Sequence, residues 1–187
     1  MKKITLIALL FFFQAFNISA NEPKLDQIIN GLDNPWSLTF LNNDRVLITE
    51  KSGNLLLVNL SNKKTQKIKH NLNILEDGQG GLLEVLYYKD QVFVSYTEDR
   101  KKKTSTSVAK ARFNELELNF QNIFRAEPPI NSGYHFGSRL AIKDNFIYIT
   151  AGERGEGMIA QDPKKHPGSI IRIHLDGKIP KDNPKFI

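Results

Sequence analysis

From Trp36 onward, apolar and polar residues alternate in short β-branched and aromatic runs that are cut by Asn, Asp, Gly and Lys turns. That is the period of strands with one buried face, and no segment beyond the extreme N-terminus carries a 3.6-residue helical stripe. The alternation predicts strands over residues 36–40, 45–49, 55–60, 82–87, 91–96, 107–113, 139–142, 146–150 and 169–175.

The pattern also repeats. Val46-Leu47-Ile48-Thr49-Glu50, Val92-Phe93-Val94-Ser95-Tyr96-Thr97-Glu98 and Ile147-Tyr148-Ile149-Thr150-Ala151-Gly152-Glu153 are versions of one strand that ends in Thr and an acid. Gly53-Asn54-Leu55-Leu56-Leu57-Val58-Asn59-Leu60 is echoed by Gly168-Ser169-Ile170-Ile171-Arg172-Ile173-His174-Leu175, the third strand of its own unit. Units therefore restart near Trp36, Leu82 and Arg139, at spacings of about 45 to 55 residues, which is the period of propeller blades. A β-sandwich is the alternative, but its strands would alternate between two sheets instead of restarting one motif. The expected fold class is all-β, a β-propeller. Residues 71–81 and 126–138 then connect one blade to the next and reach toward the central axis.

The N-terminus reads differently. Lys2 and Lys3 are the only charges in the first twenty residues, and the run from Ile4 to Phe13 is apolar but for Thr5. This is the pattern of a secretory signal peptide, residues 1–20, with cleavage expected near Ala20. Ile18, three residues before that cut, keeps an uncleaved anchor open as the alternative. The apolar run is short of the roughly 20 residues of a comfortable membrane span, so no stable span is expected after cleavage. The formal charge of +6 falls to about +4 once Lys2 and Lys3 leave. The chain contains no cysteine, so an exported product closes its core by packing alone and has no thiolate ligand or Cys nucleophile. A periplasmic or secreted bacterial location is expected. The largest basic block, Arg100-Lys101-Lys102-Lys103, lies between Glu98-Asp99 and a Thr/Ser stretch. It reads as a solvated hairpin loop with no interleaved aromatic, which argues against nucleic acid as a partner.

Two of the connections hold unusual polar residues. Asp77-Gly78-Gln79-Gly80-Gly81-Leu82-Leu83 places a carboxamide among three glycines just before a strand, and Gly133-Tyr134-His135-Phe136-Gly137-Ser138-Arg139-Leu140 places an imidazole at the equivalent point of the next unit. A neutral imidazole can take up a proton near pH 7, and a carboxamide offers two donors and an acceptor. The plain alternatives are a histidine that only hydrogen-bonds its own loop and a glycine-rich turn with an incidental Gln.

These two segments, with Gly31-Leu32-Asp33-Asn34-Pro35-Trp36-Ser37-Leu38 and Gly168 through Leu175-Asp176-Gly177-Lys178-Ile179-Pro180-Lys181-Asp182-Asn183-Pro184, resemble the soluble pyrroloquinoline quinone (PQQ)-dependent aldose sugar dehydrogenases of the glucose/sorbosone dehydrogenase family. The resemblance implies a six-bladed propeller that holds the quinone near its axis, of which residues 21–187 supply the N-terminal part, about the first three blades. It implies oxidation of the anomeric carbon of an aldose to a lactone, with an external electron acceptor. His135 matches the family's general base and contacts the cofactor, and Gln79 matches a residue that hydrogen-bonds the cofactor.

Departures from the family pattern matter as well. Tyr134 stands where the glucose-oxidising relatives carry an acid that touches sugar hydroxyls, which leaves the sugar open. Glu153 falls where a relative has another site-lining acid, although its context also suits an ordinary strand end. Arg139 reads as a structural pairing residue within its strand, and His70, His166 and His174 as surface or strand residues. The family's Arg-Asn pair, its basic residues for the cofactor carboxylates and its calcium ligands follow Asp182-Asn183-Pro184, and the present sequence does not contain them. Calcium is therefore expected as a cofactor with ligands outside this chain, and no metal residue is assigned. The 187-residue chain is expected not to oxidise sugars by itself. An exported, non-enzymatic propeller serving as a binding or assembly module is the alternative function.

Overall fold

The three restarts of the sequence motif are three sheets in a computed structural model that describes residues 23–184. The predicted signal peptide, residues 1–20, lies outside the described residues. The first sheet is a meander of β1 (Pro35–Asn42), β2 (Arg45–Glu50), β3 (Leu55–Asn59) and β4 (Thr65–His70). The second contains β5 (Leu82–Tyr88), β6 (Gln91–Asp99), β7 (Thr104–Arg112) and β9 (Gln121–Arg125), while the two-residue β8 (Glu117–Leu118) crosses to pair in parallel with β4. The third contains β10 (Gly137–Lys143), β11 (Phe146–Ala151) and β12 (Ser169–His174), with a single 3₁₀ turn at Gly157–Gln161 before β12.

All nine predicted strands are present, and the sequence reading misses β4, β8 and β9. The reason is position. In β4 only Ile68 is fully buried, and β9 is polar at both ends with half-buried residues between, so neither shows an apolar alternation. The strand predicted over 107–113 begins earlier, at Thr104, because its polar start is buried by hydrogen bonding. Thr104 Oγ1 donates to Ile130 O at 3.1 Å and Ser105 Oγ to Ala126 O at 2.9 Å.

Packing between sheets follows the two-residue side-chain period. Val92, Val94 and Tyr96 of β6 face the first sheet and join Leu47, Leu55, Leu57, Ile68, Leu82 and Val85 in one cluster. Phe93 of the same strand faces the other way, into a second cluster with Val108, Leu140, Ile147, Ile149 and Ile173. A strand buried on both faces reads as a continuous apolar run, which is why Val92-Phe93-Val94 of β6 shows no polar alternation. Each fully buried aliphatic or aromatic side chain contributes roughly 1.5–3 kcal/mol, so these two seams hold the sheets face to face.

A hydroxyl clasp recurs at the innermost strand of every sheet. β1, β5 and β10 each carry an irregularity near their start, and the freed backbone N–H is caught by a hydroxyl of the neighbouring strand. Ser37 N–H donates to Thr49 Oγ1 at 3.1 Å, Glu84 N–H to Ser95 Oγ at 3.0 Å and Arg139 N–H to Thr150 Oγ1 at 2.9 Å. The same hydroxyls link sheet to sheet: Thr49 Oγ1 donates to Leu83 O and Ser95 Oγ to Ser138 O, each at 2.6 Å. The three residues with the caught N–H groups also touch one another. The buried Glu84 carboxylate accepts from Ser37 Oγ at 2.8 Å and pairs with the Arg139 guanidinium. Arg139 is thus a pairing residue that ties inner strand to inner strand, as its place in the pattern predicts.

Candidate active site

The two sequence-predicted site residues meet. Gln79, in the connection before β5, accepts the His135 backbone N–H on its side-chain Oε1 at 2.9 Å, and its own N–H donates to Gly133 O at 2.7 Å. The loops approach main chain to main chain at Gly78, whose φ is +55° and where any side chain would collide with the Gly133 carbonyl. Gln79 therefore spends its carbonyl oxygen on the histidine and keeps its exposed NH₂ for another acceptor.

His135 leaves the loop in the left-handed region, at φ +48°, with its side chain 53% exposed. Its Nδ1 meets Glu153 Oε1, just beyond the end of β11. The approach is possible because Gly152 lies under the His135 carbonyl, where a methyl group would collide, and Gly152 N–H donates to Phe136 O at 3.1 Å. The hydrogen bond from His135, followed by backbone N–H groups that include Gly155, holds the Glu153 carboxyl below its usual range, against the opposing effect of partial burial. An ionised carboxylate is an acceptor, so in the neutral ring the proton sits on Nδ1 and Nε2 presents a lone pair. No group among the described residues bonds Nε2. A neutral imidazole oriented by a carboxylate, with its second nitrogen open, is equipped to accept a proton.

The residue after Glu153 turns the opposite way. Arg154 has φ +62° and is only 3% exposed, beneath the loop that carries His135. Its Nε donates to Tyr134 O at 2.8 Å, Nη1 to Thr104 O at 3.2 Å, and Nη2 to Thr104 Oγ1 at 2.6 Å and to Ser132 O. The guanidinium lies 3.6 Å above the centroid of the Phe136 ring. Burial pushes its pKa down to about 10, opposed by the charges of Asp77 and Glu153, so the group remains a cation at neutral pH. Sequence reasoning does not single out Arg154. An arginine flanked by Glu and Gly after a strand looks like a surface turn, and its partners lie 20 to 50 residues away.

Tyr134 is 62% exposed, with its ring centroid 6.2 Å from that of His135. The other histidines are in structural roles. His70 Nε2 donates to Gly53 O at 2.7 Å while Nδ1 accepts the Leu72 N–H at 3.3 Å, and His174 packs against Phe146 at the end of β12. His166 Nδ1 accepts the Glu127 N–H at 2.9 Å and packs edge-on against Phe124. Arg100 and Lys103 close the β6–β7 hairpin, as the basic block predicts.

A sequence model of the family described as Glucose / Sorbosone dehydrogenase matches residues 32–186. Aldose sugar dehydrogenase YliI of Escherichia coli is 32% identical over 164 residues, which cover 82% of this chain and 44% of that protein. A crystal structure of a glucose dehydrogenase has a TM-score of 0.82 with this chain at 34% identity, covering 87% of this chain and 50% of the other. The PQQ-bound form of an aldose sugar dehydrogenase from Streptomyces coelicolor shares the fold, with a TM-score of 0.76 at 22% identity, covering 86% of this chain and 50% of that one. The three sheets are thus blades of a β-propeller, as the repeat spacing predicts, and the chain spans about half the length of the relatives it matches.

Proposed function

The chain belongs to the glucose/sorbosone dehydrogenase family, and we propose that it forms the base-bearing wall of a site in which PQQ oxidises an aldose at its anomeric carbon. The observation that carries this reading is the exposed His135 imidazole, held at Nδ1 by Glu153 and open at Nε2, beside the exposed NH₂ of Gln79. A quinone offers carbonyl acceptors, and the free Gln79 donors and the open imidazole suit such a group in chemical type. When bound, PQQ supplies the two-electron acceptor for the hydride that leaves C1.

His135 takes the proton of the C1 hydroxyl on Nε2 as that hydride departs, which leaves the C1–O group as the lactone carbonyl. Glu153 stabilises the imidazolium that results, since its carboxylate already faces Nδ1. Gln79 fixes the main chain of the base through Oε1 and holds the cofactor through its NH₂. Tyr134, exposed beside the imidazole, is placed to border an incoming sugar. Calcium and the groups for the cofactor carboxylates belong to sequence other than the described residues. Among the described residues no three His, Asp or Glu side chains gather to hold a metal. Export to the periplasm, as the N-terminal pattern suggests, would expose the site to external sugars and an external electron acceptor.

The test is His135→Gln in the complete protein that contains this chain, assayed by dye-linked aldose oxidation with PQQ and calcium. Turnover is expected to drop about 10²- to 10⁴-fold, the usual worth of a general base. PQQ uptake, followed by absorbance, is expected to change only a few-fold. Retained turnover would overturn the assignment of the base, and oxidation by the 187-residue chain alone would overturn the reading of it as one wall of the site.

A further inference from the structure

We infer that Arg154 is a positioning residue for His135: its buried guanidinium gathers the carbonyls of Ser132 and Tyr134 from beneath and so fixes the direction in which the imidazole leaves the loop. The inference rests on the proposed role of His135 as the base.

A cation at 3% exposure needs a reason. Removing a guanidinium from water is costly unless its donors are met, and no carboxylate among the described residues meets these. They are met instead by three main-chain carbonyls and one hydroxyl, with an aromatic face beneath. Two of those carbonyls, of Ser132 and Tyr134, lie three residues and one residue before His135. The planar fork of arginine can hold divergent acceptors at once, which a lysine ammonium on a flexible stem does not reproduce. With both carbonyls drawn inward, the N–H that shares a peptide with the Tyr134 carbonyl, that of His135, points the opposite way to Gln79 Oε1, and the residue is turned into its left-handed conformation.

The neighbouring residue completes the grip. Glu153 points outward to Nδ1 of the imidazole while Arg154 points inward to the main chain that bears it. One dipeptide after β11 therefore holds the histidine from above and below. Thr104 extends the hold to the second blade, since Arg154 bonds both its carbonyl and its hydroxyl. The direction of His135 is set by a residue of its own blade anchored on the neighbouring blade.

The experiment uses Arg154→Lys and Arg154→Met in the full chain, without cofactor or sugar. The lysine variant keeps the positive charge and loses the fork, so any change in Glu153 there reflects geometry and not the loss of a nearby charge. Two quantities are read by NMR: solvent exchange of the His135 backbone amide, and the titration of the Glu153 carboxyl. Both variants are expected to speed exchange of that amide about tenfold, through local opening of the loop, and to move the Glu153 titration up toward the ordinary 4.5 as its bond to His135 loosens. A folded Arg154→Lys protein with both quantities unchanged would overturn the inference, and so would an Arg154→Met protein that behaves as wild type. If the methionine variant fails to fold, the lysine variant decides alone. Neither readout involves PQQ, so a protein that failed to take up the quinone would count against the proposed function and not against the clamp.

Discussion

The loops that enter the second and third blades occupy equivalent places in the repeat and are held in different ways. The first closes on main chain: Gly80 N–H donates to Asp77 O, Leu82 N–H to Lys51 O and Thr97 N–H to Gly81 O, at 2.7 to 3.1 Å. Its side-chain ties are Gly81 N–H to Thr97 Oγ1 at 3.0 Å near β5 and, at its start, Asn71 to the Phe120 backbone and Leu72 N–H to His70 Nδ1. The second also has main-chain bonds, among them Ala126 N–H to Thr106 O and Ile130 N–H to Thr104 O, and adds a set of side chains from other segments: Gln79 on His135 N–H, Arg154 on two carbonyls, Thr106 Oγ1 on Phe136 O at 2.8 Å and His166 on Glu127 N–H. Main-chain closure fixes the path of a loop. Aiming a particular imidazole needs more, because the side-chain direction depends on each φ and ψ before it.

The largest effect should come where the second loop lies against bare backbone. Gly152→Ala places a methyl group on the His135 carbonyl oxygen, and the obstacle is main chain that cannot rotate away. An unfolding free energy lower by about 3 kcal/mol or more is expected in urea denaturation, with loss of the Glu153–His135 contact. Gly157→Ala meets nothing within 4 Å and should stay within about 0.5 kcal/mol of wild type. Equal costs at the two glycines would break the argument that the His135 loop is over-determined.

A hydroxyl pair sharpens the comparison at smaller amplitude. Thr97→Val removes a side-chain tie of the first loop, and Thr106→Val removes one from the second. Thr97→Val leaves the Gly81 N–H without its partner, at a cost of about 1–3 kcal/mol, whereas Thr106→Val costs less because Phe136 O keeps the Gly152 N–H. The two should separate in the site. Thr106→Val is expected to raise the pH at which Glu153 titrates, because Phe136 adjoins His135, whereas Thr97→Val leaves that titration in place, since three main-chain bonds still hold its loop. A rise in both variants would mean that the loops share one clamp.

The sequence announces the repeat and the places of Gln79 and His135, because both are local facts: strand alternation, glycines before a strand, an imidazole at the same offset in the next unit. The strand-ending Thr and acid are visible too, as Thr49-Glu50 and Thr97-Glu98. Their uses diverge, and that divergence is invisible. Thr49 and Ser95 clasp the next blade, whereas Thr97 binds Gly81 within its own. Glu98 pairs with Arg125 and Ser107, while Glu153 turns to His135. The outer strands β4 and β9 escape because a sheet edge buries too few residues to impose a period. Arg154 escapes because a charged residue in a turn is ordinarily solvated. Only tertiary closure brings Ser132, Thr104 and Phe136 around it.

The smallest expected effect concerns the start of the second loop, where His166 accepts the Glu127 N–H as His70 accepts the Leu72 N–H at the start of the first. Burial against Phe124 lowers the His166 pKa below 6.5, although the Glu127 carboxylate opposes the shift and is itself shared with Arg100. The native state thus favours the neutral ring, and a proton on Nδ1 would displace the bond it accepts. With the native pKa below the unfolded one, the unfolded chain binds more protons in that interval and stability rises with pH through it. The contribution is complete above 6.5 and is lost as the pH falls through the native value. His166→Gln keeps an acceptor for the Glu127 N–H and removes the titration. The stability difference between wild type and this variant, followed by urea denaturation, is expected to shift against wild type below 6.5. A difference that stays flat across that interval would show that the second loop is tied down from Gly133 onward and that its Glu127 end is held without help from a titrating side chain.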